Sequence, residues 1–368
     1  MEFIPRTIVL YSVGLLGGSL GKALKQSGYT GRIIGLSSPS AIKESLALGC
    51  IDEGYGYDKL NEVVKQCDLL FLCSPINTII DTIKTLSHMD LPEGLVITDV
   101  GSTKQDILEV AKSLPKAVHF IGGHPMAGSE KCGPMASDPF LFQNAIYVLS
   151  SFTENATDLE KTFASFLQKY LGCRTLYLNP QLHDHIAATV SHVPHLLAVA
   201  LVLLARQTEE NTPGTLTLAA GGFRDMTRIA SASYSMWHDV LVTNKYAIET
   251  QLDSYIDILI NIKRSLQEGS LSDAFDRSRE TRSRISSTGK GFISPLSEIL
   301  VHAKDQPGFI ATLSRLLADK NINIKDIEVV KVREGEGGTI RLAFESSETS
   351  RKAIAVLVEN GFSARERT

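Results

Sequence analysis

Over roughly the first 150 residues, short apolar runs alternate with amphipathic ones. The runs Thr7–Val13, Arg32–Ser37, Asp68–Ser74, Leu95–Gly101 and Val118–Gly122 are rich in β-branched residues and are bounded by turn formers. Such runs predict parallel strands buried on both faces. Helical periodicity fills the gaps, as in Gly17–Ser27 and Asn77–Leu86. The order predicts a doubly wound α/β domain of the Rossmann type over residues 1–153. From about Asn155 long apolar-periodic segments follow one another: Thr157–Tyr170, Pro180–Arg206, part of Thr215–Ile229, and Ser235–Leu266. These predict an all-helical domain over residues 154–290. Its polar, serine-rich end, Gly269–Gly291, reads as a solvated helix running into a linker, because its acids and bases are interspersed. Strand signals return at Leu296–His302, Asn323–Val332 and Thr339–Glu345, with helices at Gly308–Lys320 and Glu348–Asn360 and a short tail. That βαββα order predicts a small α+β module over residues 296–368.

A chain of 368 residues is long enough for two or three domains. Its net charge of −4 gives no reason to expect a nucleic-acid partner. Five cysteines, odd in number and scattered, form neither a metal-type spacing nor a disulfide framework. No metal is expected, and a reducing cytoplasm fits. The N-terminus reads as the first strand and not as a signal peptide. Ile186–Ala205 is long and apolar enough to cross a bilayer. It also carries two histidines, a serine and a proline, and is read as a core or subunit-interface helix.

The first strand runs into Ser12-Val13-Gly14-Leu15-Leu16-Gly17, a variant of the dinucleotide fingerprint G-x-G-x-x-G. Ser12 takes the first glycine position, while Gly14 and Gly17 fill the others. A tight βα turn without a nucleotide is the alternative. The acid that usually holds the ribose hydroxyls after the second strand is replaced by Ser37, with Lys43 further along. NAD and NADP both remain open, with NAD favoured. Leu15, Leu16, Ser74, Pro75 and Asp99 complete the expected cofactor-binding set.

The stretch His119–Gly133 places His124 at the rim of the sheet, and Asp99–Lys104 brings Ser102 and Lys104 to the same rim. Ligands bind at this rim in open α/β sheets. A histidine there can take a proton at neutral pH; a turn histidine bonded to backbone is the plain alternative. His192 and His195 share a helix face, and Pro194 between them predicts a helix first turn. Either they line a site beside Ser191, or they are core histidines. Arg224 and Arg228 lie four apart with Asp225 between them. They form either a carboxylate clamp or a surface helix with its own ion pairs. Trp237 closes this segment.

The motifs GLLGGSLG, DVGSTK, GGHPMAGSEKCG, VSHVPH and GGFRDMTRIA with MWHD stand in the order seen in the prephenate dehydrogenase family and its arogenate-using relatives. The chain resembles that family over its whole length, and its tail (HAKDQPGFIATLSRLLADKNINIKDI) looks like an ACT module. The resemblance implies oxidative decarboxylation of prephenate to 4-hydroxyphenylpyruvate, with a nicotinamide cofactor taking the hydride. It implies His124 as acceptor of the ring hydroxyl's proton, oriented by Ser102. It implies Arg228 as clamp of a substrate carboxylate, with Arg224, Trp237, His192 and His195 lining the pocket. Glu130, Asp184 and Asp225 match positions in polar networks near its mouth. It also implies a homodimer built by the helical domain and no membrane partner. Tyrosine is the expected effector, held around Asp305, Gln306, Pro307, Gly308 and Asn323. Two other readings compete. A β-hydroxyacid-type dehydrogenase typically relies on a lysine in its helical domain, where this chain offers His124 in the first. A dead amino-acid sensor would be expected to have lost Ser102, His124 and Arg228.

Overall fold

The structure, a computed structural model, describes residues 3–129, 131–152, 156–285, 296–303, 306–333 and 337–367. The chain divides into two compact units, Met1–Gly269 and Ser270–Thr368.

In the first unit the strands are β1 (Thr7–Tyr11), β2 (Arg32–Leu36), β3 (Glu53–Tyr55), β4 (Leu69–Leu72), β5 (Val96–Asp99), β6 (His119–Pro125), β7 (Ile146–Ser150) and β8 (Arg174–Tyr177). They form one sheet in the order β3-β2-β1-β4-β5-β6-β7-β8. All neighbours are parallel except β6 and β7. Helices α1 (Leu15–Gln26), α2 (Pro39–Ala47), α3 (Leu60–Val63), α4 (Ile76–Leu86), α5 (Gln105–Ala111) and α6 (Asp158–Leu171) accompany them. Successive strand residues point to opposite faces. Ile8 and Leu10 therefore join one core layer with Phe71 and Phe163, while Val9 joins the other with Leu70, Ile97 and Ile83. Each fully buried aliphatic side chain contributes about 1.5–3 kcal/mol.

The five strands expected from the sequence are present, with ends shifted by a few residues. Three others carry weaker signals. β3 has three residues and β8 four, and β8 leaves Leu176 and Tyr177 exposed at the sheet edge. The sheet thus runs past residue 153, the expected domain boundary. The physical reason is α6, whose Phe163, Phe166 and Leu167 bury against the sheet. Its start is fixed by a capping box between Thr157 and Glu160, and its end by Gly172 in the left-handed region.

The helical segment that follows comprises α7 (Pro180–Ala187), a π-helical turn at Ala188–His192, α8 (Val193–Asn211), α9 (Gly221–Thr227), α10 (Tyr234–Thr243) and α11 (Lys245–Glu268). The single apolar helix expected over Pro180–Arg206 is interrupted because Pro194 has no N–H to donate to the preceding turn. The interruption sets His192 at the end of the wide turn and His195 in the first turn of α8. By length and composition Pro180–Asn211 could cross a membrane, and 33% of its most apolar window is buried within the chain.

The second unit opens with α12 (Ser272–Ser283), which has no buried residue. A four-stranded antiparallel sheet follows, built from β9 (Ser297–Ala303), β10 (Asp326–Arg333), β11 (Gly337–Phe344) and β12 (Ala364–Glu366) in the order β10-β11-β9-β12. Helices α13 (Phe309–Asp319) and α14 (Ser347–Glu359) bury Leu313, Leu317 and Leu357 against Ile299, Val301, Leu342 and Phe344. The expected tail is a strand, β12, which pairs Ala364 with Val301. Three largely polar residues at a sheet edge give no alternating signal strong enough to read.

Buried Arg341 on β11 donates to Glu328 (2.7 Å), Glu298 (2.7 Å) and Asp326 (2.6 Å). Arg341→Leu leaves three carboxylates facing one another. It is expected to destabilise the Ser270–Thr368 unit by about 2–3 kcal/mol. That is below the roughly 3–5 kcal/mol of a fully buried pair, because Asp326 and Glu328 are partly exposed. Urea denaturation of the whole chain, followed by circular dichroism, checks this.

Candidate active site

The nucleotide end of the site is the β1–α1 turn. Ser12 adopts φ +72°, a conformation that costs a non-glycine residue energy and explains why glycine suits this position. It is held there by its N–H to the Leu36 carbonyl (2.8 Å) and by its hydroxyl at 2.9 Å from that of Tyr57. A Cβ on Gly17 would sit 2.4 Å from the Ser12 carbonyl oxygen, so only glycine allows this approach of helix to turn. At Gly14 a Cβ would meet nothing within 4 Å, which leaves open space before the free N–H groups of α1.

Beside this turn lies a cleft of about 420 Å³. Leu15, Leu16, Ser74, Pro75, Gly101 and Ser102 line one side, and Ser235, Met236 and Asp239 of the α10 region line the other. Asp239 fixes that second wall by accepting from the Asn77 N–H (3.0 Å) and side-chain amide (2.6 Å) at the start of α4. The Ser74 hydroxyl is buried and has no partner among the described residues. An open helix N-terminus and an orphaned hydroxyl in one cleft fit a dinucleotide. At the ribose end the Ser37 hydroxyl accepts from Val13 N–H (3.4 Å) and lies 3.5 Å from the Tyr57 hydroxyl. Tyr57 was not singled out in the sequence, since it is separated from the fingerprint by forty-odd positions of chain. Lys43 is exposed on α2.

Asp99, expected at the cofactor, is turned inward instead. It is fully buried, accepts from the N–H of Gly101 (2.8 Å) and Gly123 (3.0 Å), and pairs with the ammonium of Lys104. Burial pushes Lys104 below its ordinary pKa, and Asp99 opposes that.

His124 lies at the end of β6, next to the strand whose following loop carries Ser102. No described hydrogen bond joins the two. The His124 Nδ1 is 2.8 Å from Nε2 of His183, whose Nδ1 is 2.7 Å from Asp184 Oδ1. All three side chains are buried. Asp184, expected near the pocket mouth, is a buried cap. It accepts from the N–H groups of Lys104 (2.7 Å) and Gln105 (2.9 Å) at the start of α5. Asn244 Nδ2 donates to the Asp184 carbonyl (2.8 Å) and to His192 Nδ1 (3.1 Å). His195 stacks on Trp237 with ring centroids 3.8 Å apart. His183 escaped the sequence reading; its only signal was a histidine directly before an aspartate.

Burial, together with His183, Lys104 and His192, holds His124 well below the ordinary histidine pKa. Burial lowers His192 to about 4 against the pull of Asp184, and lowers His195 as well. The pocket is therefore a nest of neutral imidazoles at pH 7.

The arginines stand apart from this nest. Arg224, Asp225 and Arg228 are exposed, and Arg224 donates to the Ala219 carbonyl at 3.0 Å. The segment that carries Arg228 packs on α8, the helix of His195. Glu130 and Asp305 lie outside the described residues. In the second unit Pro307 and Gly308 form the turn before α13, where Gly308 needs φ +85°, and Asn323 is exposed between α13 and β10.

A pH dependence follows. Between about pH 6.5 and the lower folded-state values, the unfolded chain binds protons that the native pocket does not. Stability is therefore full above about pH 7. It is expected to fall as pH drops below 6.5, by up to about 1.4 kcal/mol per pH unit for each of His124 and His192, with His195 adding in the same direction. Thermal unfolding at pH 7.5, 6.0 and 5.0 checks the direction; a transition that does not move would contradict it.

Sequence profiles agree with this architecture. The profile for the prephenate dehydrogenase nucleotide-binding domain matches residues 20–173, that for the prephenate dehydrogenase dimerization domain residues 179–277, and that for the ACT domain residues 297–355. Prephenate dehydrogenase of Bacillus subtilis (strain 168) is 33% identical over 358 residues, 96% of each chain. Prephenate dehydrogenase of Lactococcus lactis subsp. cremoris is 32% identical over 96% of this chain and 97% of its own. Among solved structures, prephenate dehydrogenase from Aquifex aeolicus in complex with hydroxyphenyl propionate and NAD+ is 30% identical. It superposes with a TM-score of 0.67, covering 77% of this chain and 96% of that one. With its nucleotide cleft, its helical segment and its C-terminal module all in the matching order, the chain belongs to the prephenate dehydrogenase family.

Proposed function

We infer that the chain catalyses the NAD(P)-dependent oxidative decarboxylation of prephenate to 4-hydroxyphenylpyruvate, a step of tyrosine biosynthesis, in the cytoplasm. The observation that carries this reading is His124: a buried imidazole kept neutral at pH 7, on β6, the neighbour of the strand whose following loop brings Ser102 to a cleft fit for a dinucleotide. A bound nicotinamide accepts the hydride from the ring carbon that bears the hydroxyl. His124 accepts the proton of that hydroxyl, so negative charge builds on oxygen as the hydride leaves. Ser102 orients the hydroxyl, and His192, His195 and Trp237 form the wall of the substrate pocket. Arg228 holds the side-chain carboxylate, with Arg224 and Asp225 beside it. The ring carboxylate departs as carbon dioxide and the ring becomes aromatic.

NAD is the proposed cofactor. Support comes from Ser37 and Tyr57, neutral hydroxyls at the ribose end, and from Lys43 being exposed with no described contact to Ser37. A homodimer is proposed as the working form. Its support is the apolar surface that one helical segment leaves open: Tyr246 is 85% and Leu218 83% exposed, and Leu203, Leu204, Ile256 and Ile260 are exposed as well. So much apolar surface is what an obligate interface covers.

Production of reduced nicotinamide from prephenate, with NAD and NADP in parallel, tests the reading. Activity is expected with both or with NAD preferred; none with either would overturn it. His124→Asn is expected to lower kcat by about 10²–10⁴-fold with KM little changed. Arg228→Ala is expected to raise KM by one order of magnitude or more, about 1.5–3 kcal/mol of a charge-assisted contact.

Tyrosine is the proposed effector, received by the turn at Pro307 and Gly308 and by Asn323. Tyrosine is expected to inhibit the full chain. Gly308→Ala, strained at φ +85°, is expected to weaken that inhibition without altering kcat. Undiminished inhibition would place the effector elsewhere.

A further inference from the structure

The hydrogen bonds behind His124 determine which of its nitrogens carries the proton. A carboxylate only accepts, and Asp184 Oδ1 lies 2.7 Å from His183 Nδ1. His183 Nδ1 is therefore the protonated nitrogen, and in the neutral ring Nε2 is left as an acceptor. That Nε2 lies 2.8 Å from His124 Nδ1, which must then donate. His124 is left with an unprotonated Nε2, the atom a base needs.

We propose that His183 is a positioning residue, which Asp184 orients and which holds His124 in the Nδ1-protonated tautomer with its Nε2 lone pair free for the substrate. The proposal rests on the reading of His124 as the base. Asp184 needs no imidazolium to balance it, because the N–H groups of Lys104 and Gln105 and the positive end of α5 already meet it. Asn244, bonded to the Asp184 carbonyl, holds that residue from its backbone side. The other groups around His124 are Lys104 and its partner Asp99 below it, His192 from the π-helical turn, and Tyr147 of β7, which packs on Gly123. None of them is bonded to His124 Nδ1, so His183 alone among the described residues sets the tautomer. The same contact gives the proton a way onward. When Nε2 of His124 gains the substrate's proton, the Nδ1 proton can pass to His183 Nε2. His124 is then neutral again, and the positive charge rests on His183 beside Asp184.

The test uses the whole chain with prephenate and cofactor. His183→Leu cannot accept a hydrogen bond, whereas His183→Gln places an amide oxygen near the position of Nε2. His183→Leu is expected to lower kcat by about 10²–10³-fold, to leave KM within about threefold, and to raise the acid limb of the kcat/KM profile. His183→Gln is expected to recover most of the loss. Nitrogen-15 spectra of histidine-labelled wild-type protein give a readout independent of variant folding: protonated Nδ1 and bare Nε2 on His124 are expected at pH 7.5. The opposite tautomer would overturn the proposal, as would His183→Leu with normal kcat and pH profile. If His124→Asn were itself silent, the base reading would fall first, and the spectra would still report on the tautomer.

Discussion

The buried ion pair between Asp99 and Lys104 organises everything around it. Both side chains are fully buried, and isolating either charge there would cost several kcal/mol. The arrangement meets that cost through geometry. Asp99 spreads its charge over two backbone N–H groups, one in the loop after β5 and one in β6, so it ties the ends of two adjacent strands. Lys104 reaches the other way, since its ammonium is bound to Asp99 and its own N–H to Asp184. One residue thus links the sheet to the helical segment. His124 follows Gly123 directly, so the strand end that Asp99 pins also fixes His124, the proposed base. A fixed positive charge below an imidazole disfavours a second one, which helps keep His124 neutral.

Much of the fold was legible because its signals are local. Buried parallel strands announce themselves as apolar runs, and β1, β2, β4, β5 and β6 stood where such runs lie. β8 and β12 did not announce themselves, being short edge strands whose pairing is decided by what packs beside them. α6 showed the limit of periodicity: the pattern revealed a helix, but not that its aromatic face would cover the sheet. The interruption between α7 and α8 was legible in part, because a proline inside an apolar helical pattern either kinks the helix or sits in a first turn, and Pro194 sits in the first turn of α8.

The site divides in the same way. Ser12, Gly14 and Gly17 sit in a short run of chain whose geometry is local, and the cleft beside that turn is lined by Leu15, Leu16, Ser74 and Ser102. Tyr57 and His183 were illegible, for each meets its partner across a long loop of chain. Asp99 was misread for a physical reason. A carboxylate at the end of a strand can face a ligand or turn under the sheet, and only Lys104, five residues on, decides which. Asp184 was read as a mouth residue and is a helix cap for the same kind of reason: its partners are backbone N–H groups from another domain layer.

The split between neutral imidazoles inside and guanidinium groups outside has a chemical logic in the proposed reaction. Prephenate carries two carboxylates with opposite fates. The ring carboxylate must lose its charge as it leaves, so a cation bound to it would stabilise the ground state more than the transition state. The side-chain carboxylate keeps its charge throughout, so a guanidinium there adds affinity and orientation at no cost to the chemical step. The neutral rings of His124, His192 and His195 offer the departing group no fixed positive partner. The buried cation beneath them, Lys104, is already neutralised by Asp99. Arg228, the proposed clamp of the side-chain carboxylate, is exposed on a segment that packs on α8. In the proposed reaction the charge that must vanish and the charge that must stay thus meet surroundings of opposite kind, buried imidazoles for one and exposed guanidinium groups for the other.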